Sequence, residues 1–148
     1  MTDLNTFQLG KYAKELISNT LTGYGFEVHP ADSQNKSVDF IAITGNGNSI
    51  DIKVRSVRDY NYIFFTKEKY TPRNDYYAAI AMLLPGDKPR MFLIPFTEWF
   101  SKPHSPLFAD HDYAGKKSKS EWGLNLSRKN MEHLQEYEYT SVLEKMKL

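Results

Sequence analysis

The chain has 148 residues, 41% of them hydrophobic and 14% aromatic, enough apolar mass for one packed domain spanning 1–148 and too much for a disordered polymer. Nineteen basic residues against 18 acidic ones leave a net charge of +1, which excludes a polycationic binder and confines any nucleic-acid contact to a local patch. The absence of cysteine excludes disulfide scaffolds, thiolate zinc sites and thiol nucleophiles, and suits a reducing compartment. No apolar run reaches the ~20 residues of a membrane span, and the polar start lacks the order of a secretory signal. The expectation is a cytoplasmic protein with no membrane partner.

Leu9, Tyr12, Ala13, Leu16, Ile17 and Leu21 recur at spacings of three and four and predict a first helix, capped by Thr6 and stopped by Gly23 and Gly25. Phe26 to His29 reads as a short strand, and Pro30 to Ser37 as a loop. VDFIAIT and SIDIKVRSV are β-branched runs joined by Gly-Asn-Gly-Asn, the composition of a hairpin. Tyr62 to Phe65 predicts another strand. The nearly unbroken apolar run Tyr76 to Leu84 fits a strand buried on both faces, with a helix as the rival. Met91 to Ile94 is the next strand, and Thr97 to Trp99 starts a short helix. The polar, Pro-containing stretch from Lys102 to Ser120 is expected to be a functional or mobile connection. Ser127 is expected to cap a helix carrying Met131 and Leu134, and the tail to add a final helical turn or two. Helix, strands, short helix, strands and helix in that order predict an α/β domain around a mixed sheet.

The chemistry centres on Asp39 in the first hairpin strand and on Asp51-Ile52-Lys53 in the second. Alternation sends Asp51 and Lys53 to one face and Ile50, Ile52 and Val54 to the other. Two carboxylates converging with an ammonium suit metal-assisted phosphodiester hydrolysis, because a hard cation takes carboxylate oxygens and lowers the pKa of an attacking water. The hairpin register tests this. A two-residue Asn46-Gly47 turn pairs Asp39 with Val54 and points it away from Lys53. A three-residue Gly45-Asn46-Gly47 loop, with Gly47 left-handed, sets Asp39 opposite Lys53 and Ile41 opposite Asp51. The bland alternative makes Asp51, Lys53 and Arg55 the solvated face of an edge strand.

The order of a helix acid, a strand Asp, a hairpin and a strand Asp-x-Lys, followed by YYAAIAMLL and MFLIPFTEW, resembles the PD-(D/E)XK nuclease superfamily, in particular small bacterial members with Holliday-junction-resolvase-like cores. The likeness covers roughly residues 7–100, leaving 101–148 as a C-terminal loop and helix extension. Val38 replaces the usual proline, and the second acid is Asp rather than the commoner Glu. The resemblance implies a restriction-endonuclease-like αβββαβ core: a mixed central sheet flanked by helices. It implies Mg²⁺ or Mn²⁺ on Asp39, Asp51 and the Ile52 main-chain carbonyl, with Lys53 positioning water or stabilising charge. Glu15 would be an outer or second-metal acid, although beside Lys11 it is also an ordinary helical i, i+4 partner. The implied function is a DNA endonuclease, with RNA left open, acting as a homodimer. The other reading is a catalytically silent nuclease-fold module that binds nucleic acid or a protein.

Lys36, Arg55 and Arg58 surround this motif as candidate nucleic-acid contacts. Lys67, Lys69 and Arg73 follow, interleaved with Tyr60, Tyr62, Phe64 and Phe65, as phosphate holders and base stackers or as a guarded strand edge. Lys116 and Lys117, with Lys119, form a candidate phosphate clamp, for which a solubilising loop is the alternative. His104, Asp110, His111 and Asp112 match no zinc spacing. Trp99 and Phe100 fit a core or a dimer interface.

Overall fold

Helix α1 spans Thr6–Gly23 and buries Leu9, Ala13, Ile17 and Leu21 along one face. Its cap is Asn5, not Thr6. The Asn5 side chain accepts from the Gln8 N–H at 2.8 Å and the Asn5 N–H donates to the Gln8 side chain at 3.0 Å. This reciprocal capping box satisfies two otherwise orphaned donors, which a lone Thr6 hydroxyl would not. The computed structural model describes residues 4–112 and 119–146.

After α1, strands β1 (Glu27–Pro30), β2 (Phe40–Ile43) and β3 (Ser49–Val57) form an antiparallel meander. Strand β4 (Asn61–Thr66) leaves that sheet, β5 (Tyr76–Met82) returns parallel to β3, and β6 (Arg90–Pro95) closes antiparallel to β5. The central sheet is therefore mixed and five-stranded, in the order β1-β2-β3-β5-β6. Its β3-to-β5 crossover passes through β4, so a strand of another sheet stands where the αβββαβ pattern has a helix. β3 is central rather than an edge strand, which removes the reading of Asp51, Lys53 and Arg55 as a solvated edge.

Both faces of β5 and β6 are buried, as the unbroken apolar run predicts. On one face Ile50, Ile52, Val54, Ala79, Ala81, Met91 and Leu93 pack against α1 and the C-terminal helix. At ~1.5–3 kcal/mol for each large side chain removed from water, this layer contributes much of the stability. On the other face Ala78, Ile80, Met82, Phe92 and Ile94 meet an aromatic cluster that includes Phe65, Phe96, Trp99, Phe108 and Trp122.

That cluster belongs largely to a second sheet, which the sequence reading did not anticipate. It has three strands in the order β4-β8-β7, with β7 at Phe108–His111 and β8 at Glu121–Leu126. Part of the connection expected to be mobile is thus core: Leu107 is fully buried and Phe108 nearly so. The polar letters of the segment hide this, because among its described residues only Leu107 and Phe108 are buried and four strand residues are too few to show alternation.

The remaining helices are short: α2 (Glu98–Ser101), α3 (Met131–Leu134) after a 3₁₀ turn at Arg128–Asn130, and α4 (Tyr139–Met146). Ser127 precedes the 3₁₀ turn but makes no side-chain capping bond. Among the described residues no helix is long and apolar enough to cross a membrane.

Candidate active site

The β2–β3 hairpin turns through the three residues Gly45-Asn46-Gly47. Ile41 pairs with Asp51 and Ile43 with Ser49, the Thr44 N–H donates to the Asn48 carbonyl at 2.7 Å, and Gly47 sits at φ +89°. This is the register that brings Asp39 to Lys53. The left-handed Gly47 accommodates the extra loop residue at no Cβ penalty.

Asp39 lies just ahead of β2, where the two strands separate. Its N–H donates to the Ile52 carbonyl at 2.7 Å, and its Oδ2 accepts from the Val54 N–H at 2.7 Å. The carboxylate therefore takes the place of a ladder carbonyl and lies near the plane of the sheet, between the two layers. Lys53 Nζ approaches Oδ2 to 3.6 Å, and Lys14 Nζ, from α1, approaches Oδ1 to 3.5 Å. The Lys53 ammonium is itself fixed by the Lys36 carbonyl at 3.1 Å. Asp39 and Lys53 are 12% and 16% exposed, so this pair sits largely out of water.

Asp51 is half-buried on the face toward the aromatic layer, in register with Tyr76 of β5. Its Oδ2 is held by Arg73, whose guanidinium stacks 4.6 Å from the Tyr76 ring centre. The Tyr76 hydroxyl donates to the Ser37 carbonyl, and burial pushes that phenol up to about 12. One connected set of contacts thus joins Arg73, Asp51, Tyr76 and the loop ahead of Asp39.

The donor chemistry fits a hard divalent cation. Asp39, just ahead of β2, stands two register positions from Asp51 of β3, and the Ile52 carbonyl that accepts the Asp39 N–H keeps a second lone pair. Magnesium needs one or two carboxylates and keeps several waters. Among the described residues no group of three or more His, Asp or Glu side chains converges.

The other candidate residues are distributed differently. Glu15 is exposed on the outer side of α1 and borders a hollow of about 430 Å³ with Lys11, Lys14, Ser18, Asn19 and Phe40. Its neighbour Lys14, not Glu15, reaches Asp39. Arg55 is spent on packing, with its guanidinium 4.7 Å from the Phe65 ring centre. Arg58 lies beyond the far end of β3 and donates to the Leu4 carbonyl at 2.8 Å; seven residues of strand put it ~20 Å from Asp51. Lys36 is exposed beside the site. Lys67 is bound by Asp110 and Asp112, and Lys119 by Glu68. Lys116 and Lys117 lie outside the described residues. Trp99 is core, whereas Phe100 is 59% exposed.

Sequence reasoning missed Lys14 and the bond from Arg73 to Asp51. Only the parallel β3–β5 register, which puts Tyr76 beside Asp51 and so brings Arg73 close, could have indicated the second.

No family model matches the chain, and no curated protein matches it. Among solved structures it is similar to Hjc of Archaeoglobus fulgidus, a Holliday junction resolvase from an archaeal hyperthermophile, with a TM-score of 0.53. The superposition covers 91% of this chain and 95% of that one at 13% identity, so the likeness is one of fold.

Proposed function

We propose that this chain is a divalent-metal-dependent DNA endonuclease of the PD-(D/E)XK type. The observation that carries this reading is the hairpin register, which sets Asp39 against Lys53 and places Asp51 two positions along the same strand pair. The resolvase-like fold supports it. Asp39, Asp51 and the Ile52 carbonyl would hold Mg²⁺ or Mn²⁺, and Glu15 would act from the outer shell, next to Lys14. The cation, when bound, acidifies an attacking water and offsets charge developing on the phosphate. Lys53, held by Asp39 and the Lys36 carbonyl, directs its ammonium at that charge and orients the water that attacks phosphorus. The water oxygen would bond to phosphorus and give up a proton to solvent, the P–O bond to the leaving strand would break, and the leaving oxygen would take a proton from solvent. Lys36, with Lys116 and Lys117, would grip the backbone. The working unit would be a homodimer, which gives a small domain two strands' worth of contact.

One observation favours the second reading, a silent module that binds nucleic acid or a protein. Each carboxylate already has cationic partners: Lys14 and Lys53 at Asp39, and Arg73 at Asp51. The test is cleavage of plasmid, single-stranded and branched DNA with and without Mg²⁺ or Mn²⁺. The nuclease reading expects cation-dependent cleavage that falls ~10²-fold or more in Lys53→Ala, with DNA binding retained. Binding without cleavage in either cation would give first place to the silent module.

A further inference from the structure

Resting on that metal-site reading, we infer that Arg73 is a competing counter-ion: it closes Asp51 while the site holds no metal and passes to a DNA phosphate when a divalent cation takes the carboxylate. The two ligands then bind cooperatively, each making room for the other.

Two contacts hold the charged end of Arg73. Its guanidinium meets Asp51 Oδ2 and lies over the Tyr76 ring, yet its side chain is 49% exposed. A guanidinium carries five N–H donors, so a fork remains free on the solvent side. The root of the loop is fixed independently. Asp75 adopts the left-handed region at φ +62°, and its carbonyl accepts the Asp51 N–H at 2.8 Å. Such a backbone is costly for a residue other than glycine and persists only where neighbours hold it. The Tyr76 ring is anchored as well, through its hydroxyl on the Ser37 carbonyl. Backbone and ring platform are thus pinned beside Asp51, while the charged end is held only by an ion pair and a stack.

A guanidinium and a dication on the same carboxylate repel each other. Cation entry therefore releases Arg73, and the anchored ring keeps it within a few ångströms of the site. There its planar fork matches phosphate oxygens two at a time. By linkage the coupling is reciprocal: a cation tightens DNA, and DNA, by drawing Arg73 off Asp51, tightens the cation. Lys53 does not share this role, because a main-chain carbonyl fixes its ammonium, and Lys14, on Asp39, has no planar fork to offer a phosphate.

The experiment titrates Mn²⁺ calorimetrically into wild type, Arg73→Ala and Asp51→Asn without DNA. It then measures a labelled branched oligonucleotide by anisotropy with and without Ca²⁺, a hard oxygen-seeking cation. Arg73→Ala should bind Mn²⁺ about two- to fivefold more tightly, the scale of one partly exposed ion pair removed. Its Ca²⁺-dependent gain in DNA affinity should shrink by a similar factor. Arg73→Lys, which keeps the charge without the fork, should leave Mn²⁺ affinity near wild type and still lose part of the DNA gain. If Asp51→Asn abolishes Mn²⁺ binding but Arg73→Ala leaves it unchanged or weaker, the site reading stands and the counter-ion inference is overturned. If Asp51→Asn has no effect on Mn²⁺ binding, or no variant binds Mn²⁺, the metal site itself fails and the inference falls with it.

Discussion

Replacing Asp39 by alanine separates its structural work from its chemistry. Its Oδ2 is the acceptor for the Val54 N–H at 2.7 Å, and Val54 is only 6% exposed, so truncation leaves a buried donor without a partner. That omission costs about 1–3 kcal/mol. The same change strips the carboxylate from Lys53 at 3.6 Å and Lys14 at 3.5 Å. Lys14 is half exposed and Lys53 largely covered, so these contacts together add up to roughly 1 kcal/mol. The expected loss is ~2–4 kcal/mol, or about 6–12 °C in Tm for a domain of this size. Asp39→Asn keeps an oxygen for Val54 and loses only the ion pairs, so it should lose ~1 kcal/mol. Urea titrations and thermal scans of both variants in chelator, with no divalent cation present, measure these values. If alanine and asparagine destabilise equally, or alanine not at all, the carboxylate does not replace a ladder carbonyl and the account of the β2–β3 junction is wrong. Activity lost in Asp39→Ala would then need the asparagine variant beside it before being read as chemistry.

Gly47→Ala forces a side chain onto φ +89° and should cost ~1–2 kcal/mol; a change of the hairpin register in amide NMR contacts would show whether the loop also guards the site. Tyr76 ionises near pH 12 in the folded protein and near 10 when unfolded. Its contribution is therefore complete below pH 10 and is lost as pH rises toward 12, by up to ~2 kcal/mol; urea titrations at pH 9 and 11.5 should show a smaller decline in Tyr76→Phe. Phe92→Ala opens the fully buried middle of β6 and should cost ~3–5 kcal/mol by denaturant titration. Light scattering at micromolar concentration should give twice the 17.2 kDa chain mass, and a strict monomer would remove the homodimer from the proposal.

Most elements were legible in the chain because their signals are local. The three- and four-residue spacing from Leu9 to Leu21 predicts a helix with one wet face, and the apolar run at Tyr76 to Leu84 fits a strand covered on both sides, which the structure adopts over the rival helix. The Gly-Asn-Gly turn limited the hairpin to two registers, each with a stated consequence for Asp39, and the structure adopts the three-residue one. Asp39, Asp51 and Lys53 were therefore nameable before any coordinates. What the letters could not carry is non-local. The second sheet depends on Leu107, Phe108, Trp122 and Leu124 meeting Phe65 from far along the chain, and no short-range period encodes such a meeting. Arg55 and Arg58 read as free cations in sequence, yet packing turns one onto Phe65 and ties the other to Leu4. Lys14 and the Arg73–Asp51 pair join the candidate site only because helix packing and the parallel β3–β5 pairing carry them there. Local periodicity determines which segments can be helix or strand, whereas the partner of each charge is decided only when distant segments bury their apolar faces together.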